Sequence, residues 1–168
     1  MNPKFVVPYR KSGKNDTNDA EAICEAVGRP NMRFVSVKSV EQQAVCSLHT
    51  GRQFLVVQRT ALINHCRGLL TEFGIIMPLG ADKVRRLFAE ILDNEQSAVP
   101  LLLKDLLQQH LQDLARLEHR IESIDKQLAE WAKTNHQAMT LLQMLGVGVI
   151  TATAFAAGVC DAQLFENG

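Results

Sequence analysis

The chain is short of most residues that announce a function by themselves. Aromatic side chains make up 5% of its 168 residues, while Leu, Ala, Val and Gln are common, so the composition leans towards helix. Net charge is absent: 18 Lys and Arg stand against 18 Asp and Glu. With 46% apolar and 21% charged residues, the chain is not a disordered acidic or basic tail, a collagen-like repeat or a low-complexity segment. A neutral total also argues, at first sight, against a nucleic-acid partner. Cysteine is limited to positions 24, 46, 66 and 160, with no CxxC pair and gaps too wide for a zinc knuckle. Four buried free thiols are expected, and reduced thiols fit the cytosol. No apolar run near Met1 exceeds Phe5-Val6-Val7, which is too short for a signal peptide.

Charge is missing from one long stretch, Gln137 to Cys160, which has the length of a membrane span. It nevertheless holds Gln143, Thr140, Thr151 and Thr153, with glycines at 146, 148 and 158, and no basic cluster flanks it. The expectation is a buried helical hairpin broken at Gly146-Val147-Gly148, with no membrane partner.

What is present is periodicity. Residues 1–13 read as a short strand or extended piece followed by a basic loop, Tyr9-Arg10-Lys11-Ser12-Gly13-Lys14. A helix follows from Asp16, with Ala20, Ile23, Cys24 and Val27 on it, and Gly28-Arg29-Pro30 stops it. A second helix is predicted from about Ser39 to Phe73, where Leu48, Leu55, Leu62 and Leu69 recur every seventh residue. After a short segment around Val84–Leu92, Pro100 opens a third helix. There Leu107, Leu114, Leu117, Ile121, Ile124, Leu128 and Trp131 keep four–three spacing, with His110 as a polar register-setter. Two such helices should pack antiparallel, dimerise, or both. The chain closes on Leu164-Phe165-Glu166-Asn167-Gly168, which reads as a domain cut short.

The neutral total is a cancellation. Residues 1–72 hold ten Lys and Arg against six Asp and Glu, and residues 73–168 hold eight against twelve. An anionic partner would be steered to the first half.

Three features could carry chemistry. In Gly13-Lys14-Asn15-Asp16-Thr17-Asn18-Asp19-Ala20, two carboxylates three residues apart share one face of a helix start, behind a lysine. Hard cations such as Mg²⁺ take such oxygens, and phosphoryl-transfer sites use several to hold two metals. Equally, Asp16 as N-cap and Asp19 in the first turn would favour the helix dipole, and both readings can hold together. Arg52, Arg59 and Arg67, with Lys38, His49 and His65, could track a phosphate backbone, or could pair with acids of the third helix such as Asp113, Glu118, Glu122 or Asp125. The Gly146-Val147-Gly148 turn could offer bare N–H groups to a phosphate, or simply let two helices meet and cap the first.

Taken in order, these motifs resemble the DEDD-type insertion-sequence transposases, the RuvC-like, RNA-bridged recombinases. The likeness rests on the lysine–Asp16–two residues–Asp19-Ala20 pattern and on Val37-Lys38-Ser39-Val40-Glu41-Gln42-Gln43-Ala44 followed by Leu48-His49. It rests also on Arg59-Thr60-Ala61-Leu62-Ile63-Asn64, on Arg67-Gly68-Leu69-Leu70-Thr71-Glu72-Phe73-Gly74-Ile75, and on Leu145-Gly146-Val147-Gly148 with Thr151-Ala152 and Phe165. The resemblance implies a mainly α chain in three parts. Residues 1–36 would be a remnant of the RuvC-like α/β domain, 37–134 long antiparallel coiled-coil helices, and 135–168 the helix-hairpin-helix start of the C-terminal transposase domain. It implies DNA transposition, with DNA and a guide RNA as partners, self-association through the coiled coil, and work in the bacterial cytoplasm at the nucleoid. Asp16 and Asp19 would match the third and fourth acids of a Mg²⁺ site, as catalytic and metal residues. Arg10, Lys11, Lys14, Arg52, Arg59, Arg67, Gly146 and Gly148 would meet nucleic acid. The family's first Asp, its Glu and its catalytic serine have no match here, so the resemblance implies a truncated copy, inactive alone, with Met1 an internal start.

Overall fold

The computed structural model describes residues 3–11, 13, 15–30, 32, 34, 36–77, 80–94, 97 and 99–159. Lys14, Cys160 and the closing Leu164-Phe165 segment lie outside the described residues. Among those described there are seven α-helices and no strand. They fall into two compact units, one holding the described residues up to Val40 together with Val159, the other Glu41–Gly158.

In the first unit, within the piece expected to be extended at residues 1–13, residues 3–9 are helical instead. Helix α1 spans Pro3–Val6 and a 3₁₀ turn spans Val7–Tyr9. A strand needs a neighbour to take its N–H and C=O groups. Without one, the segment satisfies them locally, as in the bond from Arg10 N–H to the Val7 carbonyl (3.1 Å). Helix α2, Asp16–Val27, starts where expected and ends at Gly28. Its cap is Asn15 and not Asp16: Asn15 Oδ1 accepts from Asn18 N–H at 2.7 Å. Asn15 takes the extended backbone that a cap requires, with φ −148° and ψ 159°, which leaves Asp16 inside the first turn. Ala22 and Ala26 are buried beneath this helix.

The second unit carries the core. Helix α3 spans Val40–Thr71, α4 Ala81–Asp93 and α5 Leu101–Thr134. Helix α3 ends as its sequence requires. Gly74 takes φ +71°, its N–H donates to the Thr71 carbonyl (2.9 Å), and Ile75 N–H reaches back to the Leu70 carbonyl (3.0 Å). In α4, Val84, Phe88 and Ile91 follow i, i+4, i+7 spacing and are all buried. In α5 the buried residues Leu107, Leu114, Ile121 and Leu128 keep the seven-residue repeat read from the sequence.

Helices α3 and α5 run antiparallel, because partners descend along α5 as they ascend along α3. Trp131 Nε1–H donates to Glu41 (2.6 Å), Leu128 packs with Val45, Asp125 pairs with Arg52, and His110 meets His65. Cys66 and Leu70 of α3, Val84, Phe88 and Ile91 of α4, and Leu107 and Leu114 of α5 form the largest core cluster. The uncharged C-terminal stretch is a hairpin of α6 (His136–Leu142) and α7 (Val149–Gly158), turned at Gly146 with φ +84°. It packs Ala138, Ala156 and Ala157 against the long helices, and Ala152 is buried as well. No helix of the described residues is long and apolar enough to cross a membrane.

Candidate functional site

The acid pair sits where Asn15 starts α2. Asp16 occupies the first helical position and Asp19 lies one turn on, so both carboxylates face the positive end of the helix dipole. Their surroundings differ. Arg10 Nη1 stands 3.8 Å from Asp19 Oδ1, whereas Asp16 is exposed and has no ion-pair partner among the described residues. One residue along the basic loop, Lys11 Nζ reaches Glu21 at 2.5 Å. Asn18 Nδ2–H donates to the Gly13 carbonyl (3.1 Å), and Gly13 takes φ +96° to present it. Arg29 packs over the Tyr9 ring at 5.4 Å and pairs with Glu25. The loop is therefore folded back onto α2 by its cations. Beside it opens a cleft of about 410 Å³ whose apolar walls include Val6, Val7 and Ile23, with Arg10 and Asp19 as its charged members.

A divalent cation fits this pair in chemistry, since both ligands are hard oxygens on one face of a helix. It does not fit in number. Among the described residues no group of three or more His, Cys, Asp or Glu is placed to hold a metal ion. Two carboxylates leave most of a six-coordinate Mg²⁺ to water, so the pair can only be half a site.

The α3 arginines are spread along the helix. Arg52 lies in the seam towards α5: its Nε donates to Asp125 Oδ1 at 2.5 Å and its Nη2 to Oδ2 at 3.3 Å. Next to it, His49 Nε2 lies 3.0 Å from Thr153 Oγ1 of α7, and that hydroxyl donates to the Val149 carbonyl (2.8 Å). Burial holds the His49 imidazole below its usual pKa; Arg52 pushes the same way and Asp125 opposes. The leucine repeat alone does not announce this polar layer, which joins α3, α5 and α7. A signal for it is nonetheless present: Val45, Arg52, Arg59 and Cys66 follow one another by sevens, interleaved with the leucines. Arg59 is half-buried without an ion-pair partner among the described residues, and Arg67 donates to Asn64 Oδ1 at 2.6 Å.

In the hairpin turn Gly146 and Gly148 are exposed, and a Cβ on either would meet nothing within 4 Å. Only Gly146 needs its positive φ. Gly148 starts α7, its carbonyl accepting from Ala152 N–H at 2.9 Å. Leu145 and Met144 beside them are open to solvent.

The comparisons with known proteins bear on these same residues. A family model described as Transposase, of the DEDD type of IS110 elements, matches residues 3–75. The chain is 43% identical to a "Probable family 20 transposase" of Pseudomonas aeruginosa over 99% of its own length and 49% of the relative's. It is 40% identical to the transposase for insertion sequence element IS1111A of Coxiella burnetii, over 99% of this chain and 46% of that one. It is 39% identical to the transposase for insertion sequence element IS1328 of Yersinia enterocolitica, over 96% and 47%. The chain thus spans about half the length of the curated relatives it matches. No solved structure matches it.

Proposed function

We propose that the chain, which is similar to the DEDD transposases of insertion elements, is the central stretch of a Mg²⁺-dependent recombinase that binds DNA and a guide RNA. In this reading residues 1–36 are the remnant of a RuvC-like domain, 37–134 a coiled-coil region and 135–168 the start of a helix-hairpin-helix transposase domain. Asp16 and Asp19 supply two acids of the metal site. The cation, when bound, would polarise a phosphoryl oxygen and the water or hydroxyl attacking it. The residues of this chain set the stage for that chemistry. Arg10 draws Asp19 towards the cleft, Asn15 fixes the start of α2, and Lys11 holds the loop to Glu21. Arg59, Arg67, Lys14 and the Gly146–Gly148 turn would meet the nucleic-acid backbone. Arg52 would contribute through the position of α3 while it is paired with Asp125. The molecule would act in the bacterial cytoplasm at the nucleoid, as a dimer or oligomer.

One observation carries the reading: the ordered carboxylate pair at the start of α2, flanked by folded-back cations, falls within the stretch that the family model covers. The same site favours a second reading. With no third metal ligand beside Asp16 and Asp19 among the described residues, the chain alone would be a non-catalytic nucleic-acid-binding or dimerisation module acting on an intact transposase. Two measurements test both. Binding of DNA and structured RNA should be detectable at about 50 mM salt and fall steeply by about 200 mM. No affinity at low salt would exclude both nucleic-acid readings and leave a plain helical interaction protein. A Mg²⁺-dependent strand-exchange assay, with Asp16→Ala and Asp19→Ala as controls, should detect nothing from the chain alone. Exchange that both substitutions abolish would establish a complete site.

A further inference from the structure

Helix α3 carries a second seven-residue repeat that the fold leaves open. Ser47, Thr50, Phe54, Val57, Ala61 and Asn64 keep three–four spacing and are all exposed. Each stands two residues, about 200° of helix turn, beyond a position of the inward repeat of Val45, Leu48, Arg52, Leu55, Arg59 and Leu62. The outer face therefore points away from α5 and α7. It holds no charged residue, and its large members are well exposed, Phe54 at 60% and Val57 at 55%. Gly68 continues it by the same spacing, with open space where a Cβ would stand.

Its two hydroxyls and the Asn64 carbonyl oxygen are already bonded inside the helix. The Ser47 hydroxyl donates to the Gln43 carbonyl (2.9 Å), Thr50 to Cys46 (3.0 Å), and Asn64 Oδ1 accepts from Arg67 (2.6 Å). Such a face can be desolvated at little polar cost.

We infer that this face is where a second copy of the chain packs, α3 against α3 in antiparallel register about a twofold axis between Phe54 and Val57. This rests on the self-association in the proposed function and assigns it a face. The heptad seam of α5 is already covered within the chain by α3 and α4, so self-association needs another surface. The spacing of the outer face matches itself on reversal. Helix α3 runs from Val40 to Thr71, so its midpoint falls between residues 55 and 56, equally far from Phe54 and Val57. Turning a second helix about that point sets Phe54 against Val57, Thr50 against Ala61 and Ser47 against Asn64, large with large and small with small. The flanking Gln53 and Gln58 face one another by the same operation. A parallel pair would set Arg67 beside its own copy, whereas the antiparallel pair places the two about 34 Å apart along the axis. Antiparallel macrodipoles add to this preference. Val40, Gln43 and Thr71 are exposed at the same spacing and carry the face along the whole of α3. About 48 Å long and roughly 11 Å wide, it covers about 500 Å² per copy, so the pair buries about 1,000 Å², the lower bound for a specific interface. The dimer should therefore be reversible and concentration-dependent.

Sedimentation velocity of the full chain from about 5 to 200 μM should show a monomer–dimer equilibrium, and Val57→Asp should leave it monomeric with unchanged circular dichroism. In a background with Cys24, Cys46 and Cys160 replaced by serine, the double variant Thr50→Cys with Ala61→Cys should form disulfide-linked dimers on mild oxidation. Thr50→Cys alone should not. A wild-type chain that stays monomeric at 200 μM overturns the inference and the self-association reading together. A dimer indifferent to Val57→Asp overturns the face and keeps self-association. Cross-linking by Thr50→Cys alone overturns the antiparallel register. Nucleic-acid binding is read separately and is touched by none of these outcomes.

Discussion

The unit holding α2 and the unit holding the long helices are built on different principles. From Glu41 to Gly158, three core clusters bury Phe88, Leu70, Leu107, Leu114 and Leu128 almost completely. Among the described residues up to Val40, only Ala22 and Ala26 are buried, while Phe5, Val7, Ile23, Val27, Phe34 and Val37 lie open. Apolar burial is the main favourable term in folding, so one unit is stabilised by its core and the other by caps and exposed ion pairs. The acids that bear the proposed chemistry sit in the weaker unit. A scaffold and a site that differ in this way should respond separately to mutation.

The largest expected effect is in the scaffold. Phe88 is 1% exposed and lies among Cys66, Leu70, Val84 and Leu107, so Phe88→Ala should cost about 3–5 kcal/mol in urea unfolding of the long-helix unit. Ile23, at 46% exposure in α2, should lose about 0.5 kcal/mol or less on the same truncation. Comparable costs at both positions would erase the contrast between the units.

Much of the scaffold was legible because it obeys one rule, a seven-residue repeat of branched aliphatics ended by glycine or opened by proline. Leu107 to Leu128, Gly74 and Pro100 all do what their spacing or chemistry requires. What was not legible depended on partners. Phe5-Val6-Val7 has strand composition, but strand formation depends on a neighbour that composition does not report. Arg52 was open to two readings, a contact to phosphate or a pair with an acid of the third helix such as Asp125; the structure has the pair, and only the register against Asp125 shows that it lies in the seam. The α2 cap went to Asn15 over Asp16 because both side chains can accept the bond and the backbone turn chose between them. Of the candidate site, the spacing of Asp16 and Asp19 was readable. The asymmetry between an Arg10-paired Asp19 and an open Asp16 came from the fold of the loop.

Acid should act on one unit alone. All five histidines lie between residues 49 and 136, none in the unit that carries α2. Burial lowers the pKa of His49, helped by Arg52 and opposed by Asp125. It also lowers that of His110, helped by His65 and opposed by Asp113. Unfolded histidine titrates near 6.5. Above that pH both states are neutral and the stability is complete. As pH falls through 6.5, the unfolded chain takes up protons that the fold resists, so the long helices should lose stability towards pH 5. His110 Nε2 is buried without a hydrogen-bond partner among the described residues, between Leu62, Ile63, Phe88 and Leu114. Replacing it with Leu should stabilise the unit by about 1 kcal/mol and flatten part of the acid dependence, as read by thermal melts from pH 5 to 8. A melt as steep with pH after His110→Leu as before would assign the acid response to His49.

The smallest effect should be the most local. Asn15→Ala removes the acceptor for Asn18 N–H and should cost α2 about 1 kcal/mol. In the long-helix unit a change of that size would be a minor fraction of the total. In α2, whose start is otherwise held by Asn18 on the Gly13 carbonyl, Arg10 on Asp19 and Lys11 on Glu21, it is a large share. Amide exchange should therefore speed up across Asn18 to Ala22 while the amides of Leu107 to Leu128 keep their rates. Since Asp16 and Asp19 lie in that first turn, fraying also separates the two carboxylates, so any Mg²⁺ affinity the pair has should fall with the same substitution. If exchange in α5 accelerated as well, the two units would share one cooperative transition, and the site could not be weakened without the scaffold.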